Sequence, residues 1–541
     1  MNCSSKNGQI PSTIQHTTIL QQFNKSSIQQ FLNSTFIQMV TENIIGYQTK
    51  GGSKFQQAIN VVTQTYFEEK FPIADQATID LALDKATKAF QSYRKWSPAQ
   101  RAALLEKIAQ NIIDLGETLV KRTMAETGLP EARILGERGR TTGQLNMMAA
   151  ALRNGTWEEN FIDLANPDRQ PLPKPDLRKR LIPLGPVVVF SASNFPLAFS
   201  TAGGDVASAL AVGCPVIVKA IESHLGTNAL VAEAVMNAAK SLDAPDGVFS
   251  SLYGAGSDLG QVLVKDPRVK AVGFTGSYRA GRAIMDASAA RPEPIPVYCE
   301  MGSINPVVVM ASALEKRAVV VGEQLGASMT QGAGQFCTKP GLILVEDGNQ
   351  FNAFYKGLYD KAAAMAASPM LNKRIQSSFV QSLQTLSSEM SIVNMNDAGT
   401  DTHLVKAAFA VVTGDDFLKH PAWHEEVFGP FAVVIKCSSQ AQMIDILHTL
   451  GGQLTGTIWS EPEDASNAKM IDALEQTVGR IVWNGVPTGV EVCDAQMHGG
   501  PFPATSHPYF GAVGIGSMKR WCRPVSYQNF PLPLLPDALK G

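Results

Sequence analysis

Short runs of branched apolar residues alternate with stretches of helical period over two long parts of this chain, and few folds accommodate that. Between residues 186 and 277 the runs are PVVVF, PVIVKA, VFSSLYG and KAVGFTGS. The stretches that follow them are a Gly/Ala-rich segment from about 201 to 212, then GTNALVAEAVMNAAKSL, DLGQVLVK and YRAGRAIMDASAA. Strands connected through helices pair in parallel, so a doubly wound α/β sheet is predicted. The alternation starts again near residue 304 with INPVVVM and continues through GLILVED, AAFAVVTG, FAVVIKC and GQLTGTIWS. Two doubly wound α/β domains are expected, joined near residue 300. A chain of 541 residues is too long for one core, which points the same way.

The flanks differ in texture. From Ile73 to Met148 apolar residues recur at helical steps, with Ser97-Pro98 as a helix start and Gly128 as a helix end. Residues 165–183, ANPDRQPLPKPDLRKRLIP, are Pro-rich and charged and read as an exposed connection or arm. Residues 1–38 are rich in Gln, Ser, Thr and Asn, and read either as a disordered tail or as residues ahead of a true start at Met39.

Composition excludes several classes. A net charge of -2 offers no basic surface for nucleic acid. No apolar run approaches the length of a membrane span. Seven widely spaced cysteines without a C-x-x-C pair argue for reduced thiols in a cytoplasmic protein, and against a disulfide framework or a zinc knuckle.

Five segments carry residues suited to chemistry. In MTQGAGQFCTKPG, Cys337 follows Gly332 and Gly334, which permit a tight backbone and close approach of a ligand. Lys339 is a nearby cation of the kind that activates a thiol. A small buried cysteine is the plain alternative. In YCEMGSIN, Glu300 is placed to act as a semi-buried general base, or as a turn glutamate satisfied by backbone donors. In SASNFP, Asn194 follows the strand PVVVF, where ligands bind in open α/β sheets; its amide suits an oxyanion, or it is a turn asparagine before Phe-Pro. In GFTGS, Gly276 and Ser277 open a helix whose free N–H groups suit a phosphate, or form a plain capped turn. In HEEVFGP, Glu426 suits a ribose, or is simply part of a solvated loop. The G-x-G-x-x-x-G run at 254–260 misses the dinucleotide spacing by one residue.

Taken in order, Asn-Phe-Pro, a Lys on a strand, Phe-Thr-Gly-Ser, Glu-Met-Gly, Gly-Gln-Phe-Cys and Glu-x-Phe-Gly-Pro resemble the aldehyde dehydrogenase superfamily from about residue 55 onward. ASNFPLAFSTAGGDVASALAVGCPVIVKA, ARPEPIPVYCEMGSINP, HGGPFPAT and RPVSYQNFP narrow the likeness. They resemble 2-oxoglutarate semialdehyde (2,5-dioxovalerate) dehydrogenases and NADP-dependent fatty aldehyde dehydrogenases.

The resemblance implies an aldehyde substrate, Cys337 as nucleophile, Glu300 as base and Asn194 at the oxyanion. It implies NADP or NAD as cofactor. Lys219 and Glu222 fall at the adenosine ribose, Gly276 and Ser277 at the pyrophosphate, and Glu426 at the nicotinamide ribose with Phe428 beside it. Phe195, Ala198 and Phe199 would line the substrate channel. Arg140 and Gln144, in GRTTGQL, are candidates for a substrate carboxylate, with a helix-surface contact as the alternative. No metal is implied. Residues 39–156 and 183–300 would form the dinucleotide-binding domain and 301–499 the catalytic domain. An arm at 157–182 and a tail at 500–541 would build a homodimer or homotetramer. Many relatives carry a lysine after the Asn-Phe-Pro turn; here Asp205 occupies that region. A cysteine hydrolase or acyltransferase would also use Cys337, but it needs a histidine partner. Of the eight histidines His424 is the nearest candidate.

Overall fold

The computed structural model describes residues 39–396 and 403–541, so the expected N-terminal tail lies outside the described residues. Two seven-stranded sheets carry the fold. In the first, the spatial order is Val297–Glu300, Ala271–Thr275, Val187–Phe190, Val216–Lys219, Phe249–Leu252, then Asn43–Ile45 and Gln48–Lys50. The first five strands are parallel; the last two are an antiparallel hairpin added at the edge. The chain runs outward from Val187–Phe190 to one side, then returns to Ala271–Thr275 on the other. The order therefore reverses between these two strands, and a crevice opens at their carboxyl ends.

The second sheet has the order Ile392–Asn394, Ala408–Thr413, Phe431–Cys437, Leu342–Glu346, Pro306–Val309, Gln453–Trp459 and Val478–Trp483. All its pairings are parallel except that of Ile392–Asn394 with Ala408–Thr413. The first sheet closes at Glu300 and the second opens at Pro306. The edge strands Ile392–Asn394 and Val478–Trp483 were not expected from the sequence, because each is only partly buried and lacks a continuous apolar run.

The helical region begins as the periodicity predicts. Helix Pro98–Asp114 starts with a capping box from Ser97 and Gln100, and helix Gly116–Thr127 ends at Gly128 with φ 68°. Ile79, Leu83 and Ala86 of helix Gln76–Tyr93 pack on Ile217 and Leu252 of the first sheet. The arm and the tail form one antiparallel sheet, with Leu177–Pro183 between Phe161–Asp163 and Cys522–Gln528. Among the described residues no helix is long and apolar enough to cross a membrane.

Candidate active site

The thiol loop follows helix Ala311–Thr330. Gly332, Ala333 and Gly334 take φ values of 57°, 55° and 66°, three successive left-handed residues. Ala333 adopts this conformation at a cost of about 1 kcal/mol, which a glycine would not incur. The glycines are needed, but not for a ligand as expected: a Cβ on Gly334 would lie 2.3 Å from the carbonyl carbon of Gly429. The loop is thus wedged against the turn that holds Glu426 and Phe428. Asn305 Nδ2 fixes the loop from the other side, donating to the carbonyls of Cys337 at 2.8 Å and Lys339 at 2.9 Å.

Lys339 does not serve the thiol. Its ammonium is fully buried and donates to the Phe431 carbonyl at 2.6 Å and the Val427 carbonyl at 3.2 Å. Burial pulls it down to about 8, offset in part by Glu426. Burial pushes Glu426 up to about 7, with Lys339 and the Ser303 N–H acting against the rise. Two residues of sequence separation placed Lys339 on the opposite side of the loop from the sulfur.

The group beside the sulfur is a histidine that the sequence reading did not single out. His498 Nε2 lies 3.7 Å from Cys337 Sγ and 2.9 Å from Glu300 Oε1. His498 and Glu300 are both almost fully buried, and Cys337 is half-buried. Burial alone would depress the imidazole. The Glu300 carboxylate and the Cys337 sulfur outweigh it and raise His498 to about 10, so the ring is cationic at neutral pH. His424, the expected candidate, instead stacks on the Phe417 ring at 4.5 Å.

His498 reaches the site because its neighbours are glycines. A Cβ on Gly500 would meet the Gln453 carbonyl oxygen at 2.2 Å, and the Gly499 carbonyl oxygen lies 1.9 Å from where a Cβ on Gly479 would be. The HGGPFPAT segment can therefore lie flush on the second sheet. It then bridges to the strand that ends at Glu300, with Met301 N–H donating to the Ala504 carbonyl at 2.8 Å.

Asn194 sits just past the carboxyl end of Val187–Phe190, and its Nδ2 donates to the Gln335 carbonyl at 3.2 Å. One amide hydrogen is used there and the other remains for a developing charge. Among the described residues the Cys337 backbone N–H also makes no hydrogen bond. Phe195, Ala198 and Phe199 pack with Phe336, Ala512 and Cys337 in one small cluster, an apolar collar around the sulfur. Buried Glu137 fixes the turn by accepting from the Leu197 and Ala198 N–H groups, each at 2.9 Å. Arg133 balances its charge at 3.1 Å. Arg140 lies over the collar, with its guanidinium carbon 5.6 Å from the Phe195 ring centre and 5.2 Å from that of Phe199. Gln144 is buried against Gly204, where a Cβ would lie 2.5 Å from its Nε2.

Asp205, in the region where many relatives carry a lysine, pairs with Arg520 at 2.6 Å, both buried. Behind Glu300, between Tyr298, His498 and Arg520, lies a cavity of about 10 Å³, the lower limit for a single water.

The crevice at the reversal of the first sheet suits a dinucleotide. Helix Tyr278–Ala289 starts there. Its N-cap Ser277 accepts from Ala280 N–H, and among the described residues the N–H groups of Ser277, Tyr278 and Arg279 have no protein acceptor. Gly276 is not a free donor as expected, since its N–H donates to the Glu300 carbonyl at 3.0 Å. Its contribution is the lack of a side chain, because a Cβ there would strike the Phe274 ring at 2.6 Å. By contrast, the first N–H groups of helix Leu225–Ser241 are already taken by Glu126. At the end of Val216–Lys219, buried Lys219 holds half-exposed Glu222 at 2.9 Å. Glu426 packs on the backbone beside Glu300, where a Cβ on Gly302 would be 2.5 Å from its Oε2. A helix start with free N–H groups, a half-exposed carboxylate and a second carboxylate on the backbone beside Glu300 form a donor set that suits a nicotinamide dinucleotide.

The sequence profile of the aldehyde dehydrogenase family matches residues 48–501, so the chain belongs to that family and is an oxidoreductase acting on aldehydes with a nicotinamide dinucleotide. It is 46% identical over 473 residues to alpha-ketoglutaric semialdehyde dehydrogenase 2 of Azospirillum brasilense, covering 87% of this chain and 90% of that protein. It is 42% identical over 494 residues to the alpha-ketoglutaric semialdehyde dehydrogenase of Acinetobacter baylyi, covering 89% and 93%. In fold it superposes on the 1-pyrroline-5-carboxylate dehydrogenase from Thermus with bound NAD at a TM-score of 0.78 and 19% identity, covering 96% of this chain and 99% of that one.

Proposed function

We propose that this protein oxidises 2-oxoglutarate semialdehyde to 2-oxoglutarate through a thioester on Cys337. The contact of Cys337 with the His498–Glu300 pair carries the chemical part of this reading. The two relatives named for alpha-ketoglutaric semialdehyde support the substrate.

The His498 imidazolium is the countercharge for a Cys337 thiolate, which attacks the aldehyde carbon. The Asn194 amide and the Cys337 N–H stabilise the oxyanion. When bound, NAD(P)+ supplies the hydride acceptor. Glu300, with His498 beside it, takes a proton from water; the hydroxide adds to the thioester carbonyl, the C–S bond breaks, and the acid leaves. Lys219, Glu222, Gly276, Ser277, Glu426 and Phe428 are assigned to the dinucleotide. Glu222 suits the 2'- and 3'-hydroxyls of NAD and disfavours the 2'-phosphate of NADP. Both cofactors are used in this reading, NADP less well than the branch resemblance suggests.

A homo-oligomer in the cytoplasm completes the reading. It is supported by the six unpaired described cysteines, and by Leu164, Leu172, Leu532 and Leu534 of the arm and tail, which are 53% to 69% exposed. Sedimentation of the purified protein as a monomer would remove the oligomer.

One observation favours a second reading, an acyl hydrolase: a histidine, His498, touches the Cys337 sulfur, although Glu300 meets the same ring nitrogen and not the opposite one as in a hydrolytic triad. Steady-state kinetics on a panel separates the options. The reading expects reduced nicotinamide to form fastest, by kcat/KM, with 2-oxoglutarate semialdehyde. A higher kcat/KM for long-chain fatty aldehydes would replace the substrate, and thioester hydrolysis outpacing dinucleotide reduction would replace the reaction.

A further inference from the structure

Besides Arg140, three other arginines lie by the collar, the thiol or Glu300, and each is held by partners from the protein itself. Arg133 pairs with Glu137. Arg520 pairs with Asp205. Arg480 donates to the carbonyls of Gly489 and Pro487 and to Thr455 Oγ1, bracing the loop ahead of the tail. Arg140 is different. Among the described residues it makes no hydrogen bond and no ion pair, and its Nη2 is sealed from solvent without a partner. The one carboxylate close in sequence, Glu137, is already used by Arg133 and by two backbone N–H groups. Of the charged groups around Arg140, Cys337 acts on it most strongly.

A guanidinium is costly to remove from water without an anion. The faces of Phe195 and Phe199 offset part of that cost but satisfy none of its N–H donors. The remaining donors form a planar fork suited to a carboxylate.

We infer that Arg140, poised over the Phe195–Phe199 collar beside Cys337, is the receptor for the carboxylate of the substrate, and that the enzyme selects aldehydes bearing a distal carboxylate as a class. This rests on aldehyde oxidation at Cys337 and adds the source of discrimination against neutral aldehydes. Glu137 and Arg133 hold the turn, and Arg140 reads the charge.

The test compares wild type, Arg140→Met and Arg140→Lys on 2-oxoglutarate semialdehyde, succinic semialdehyde and neutral pentanal. Arg140→Met should lower kcat/KM for both anionic aldehydes about 100-fold, mainly through KM, and leave pentanal within about threefold. Arg140→Lys should give a smaller loss on the same two substrates and keeps the test usable if the methionine variant does not fold. A second readout needs no turnover. 2-Oxoglutarate should slow alkylation of Cys337 by iodoacetamide in wild type, followed on the Cys337 peptide, and should not do so in Arg140→Met. Equal losses on charged and neutral aldehydes, or protection that survives the substitution, would overturn the inference. If wild type oxidises succinic semialdehyde but not 2-oxoglutarate semialdehyde, the substrate proposed above falls, while an Arg140 effect confined to the anionic aldehyde upholds the inference.

Discussion

The two sheets are built alike and used from opposite edges. The first supplies its functional groups from the carboxyl ends of its strands: Asn194 after Val187–Phe190, Lys219 at the end of its strand, Ser277 after Ala271–Thr275, and Glu300. The second supplies them from the amino ends: Asn305 ahead of Pro306–Val309, Cys337 ahead of Leu342–Glu346, Glu426 ahead of Phe431–Cys437. With the dinucleotide and the reacting thiol as proposed above, the rule that ligands collect at strand carboxyl ends would hold for the first sheet and fail for the second. The thiol loop has to face the first sheet's carboxyl edge, and the Asn194–Gln335 hydrogen bond marks where the two edges meet.

Substitutions on each edge can break this division. Cys337→Ala, on the second sheet's edge, should lower turnover by more than about 10³-fold while dinucleotide binding to the first sheet, read by fluorescence titration, is unchanged. Residual turnover above a few per cent would remove Cys337 as nucleophile. Glu300→Gln, on the first sheet's edge, should slow thioester hydrolysis about 10²-fold and leave a stopped-flow burst of reduced cofactor. Loss of the burst together with turnover would give Glu300 a role in arming the thiol instead.

The tail sharpens the comparison, since it clamps both edges. Asp205→Asn strands the buried Arg520 charge and should cost about 3 kcal/mol in denaturant unfolding. An unchanged midpoint would mean the pair is dispensable. His498 makes a pH-dependent contribution. Its folded value of about 10 lies above its ordinary 6.5. The stability that wild type holds over His498→Gln should therefore be full below pH 6.5 and lost as pH rises through 10. Melting temperatures of the two proteins across that range decide it; a constant gap would show that the ring is not cationic.

The smallest effect belongs just past the carboxyl end of the central strand Val216–Lys219. Glu222 is half-exposed, so its repulsion of a 2'-phosphate is screened. Glu222→Ser should raise kcat/KM for NADP about tenfold and lower it for NAD. No change with either would place Glu222 away from the ribose.

What could be read from the sequence was local. Cys337, Glu300 and Asn194 lie in motifs whose glycines and prolines announce special backbone. The central strands of both sheets stand out because they are buried on two faces and hence continuously apolar. His498 was missed because it is 161 residues from the thiol. The available signal was the Gly-Gly after it, a mark of close backbone packing. Lys339 misled for the opposite reason, since nearness along the chain says nothing about which side of a turn a side chain takes. Arg520 gave no local sign, because its partner Asp205 is 315 residues away.

The position of His498 also sets a timetable. At roughly 5–20 residues per second of synthesis, the thiol emerges about 10–30 s before the ring that charges it. During that interval the incomplete chain carries the thiol without the ring that neighbours it in the fold. A chain that stalls or is cut before residue 498 therefore lacks the imidazole beside its thiol, and the Cys337–His498 contact forms only in the nearly finished product.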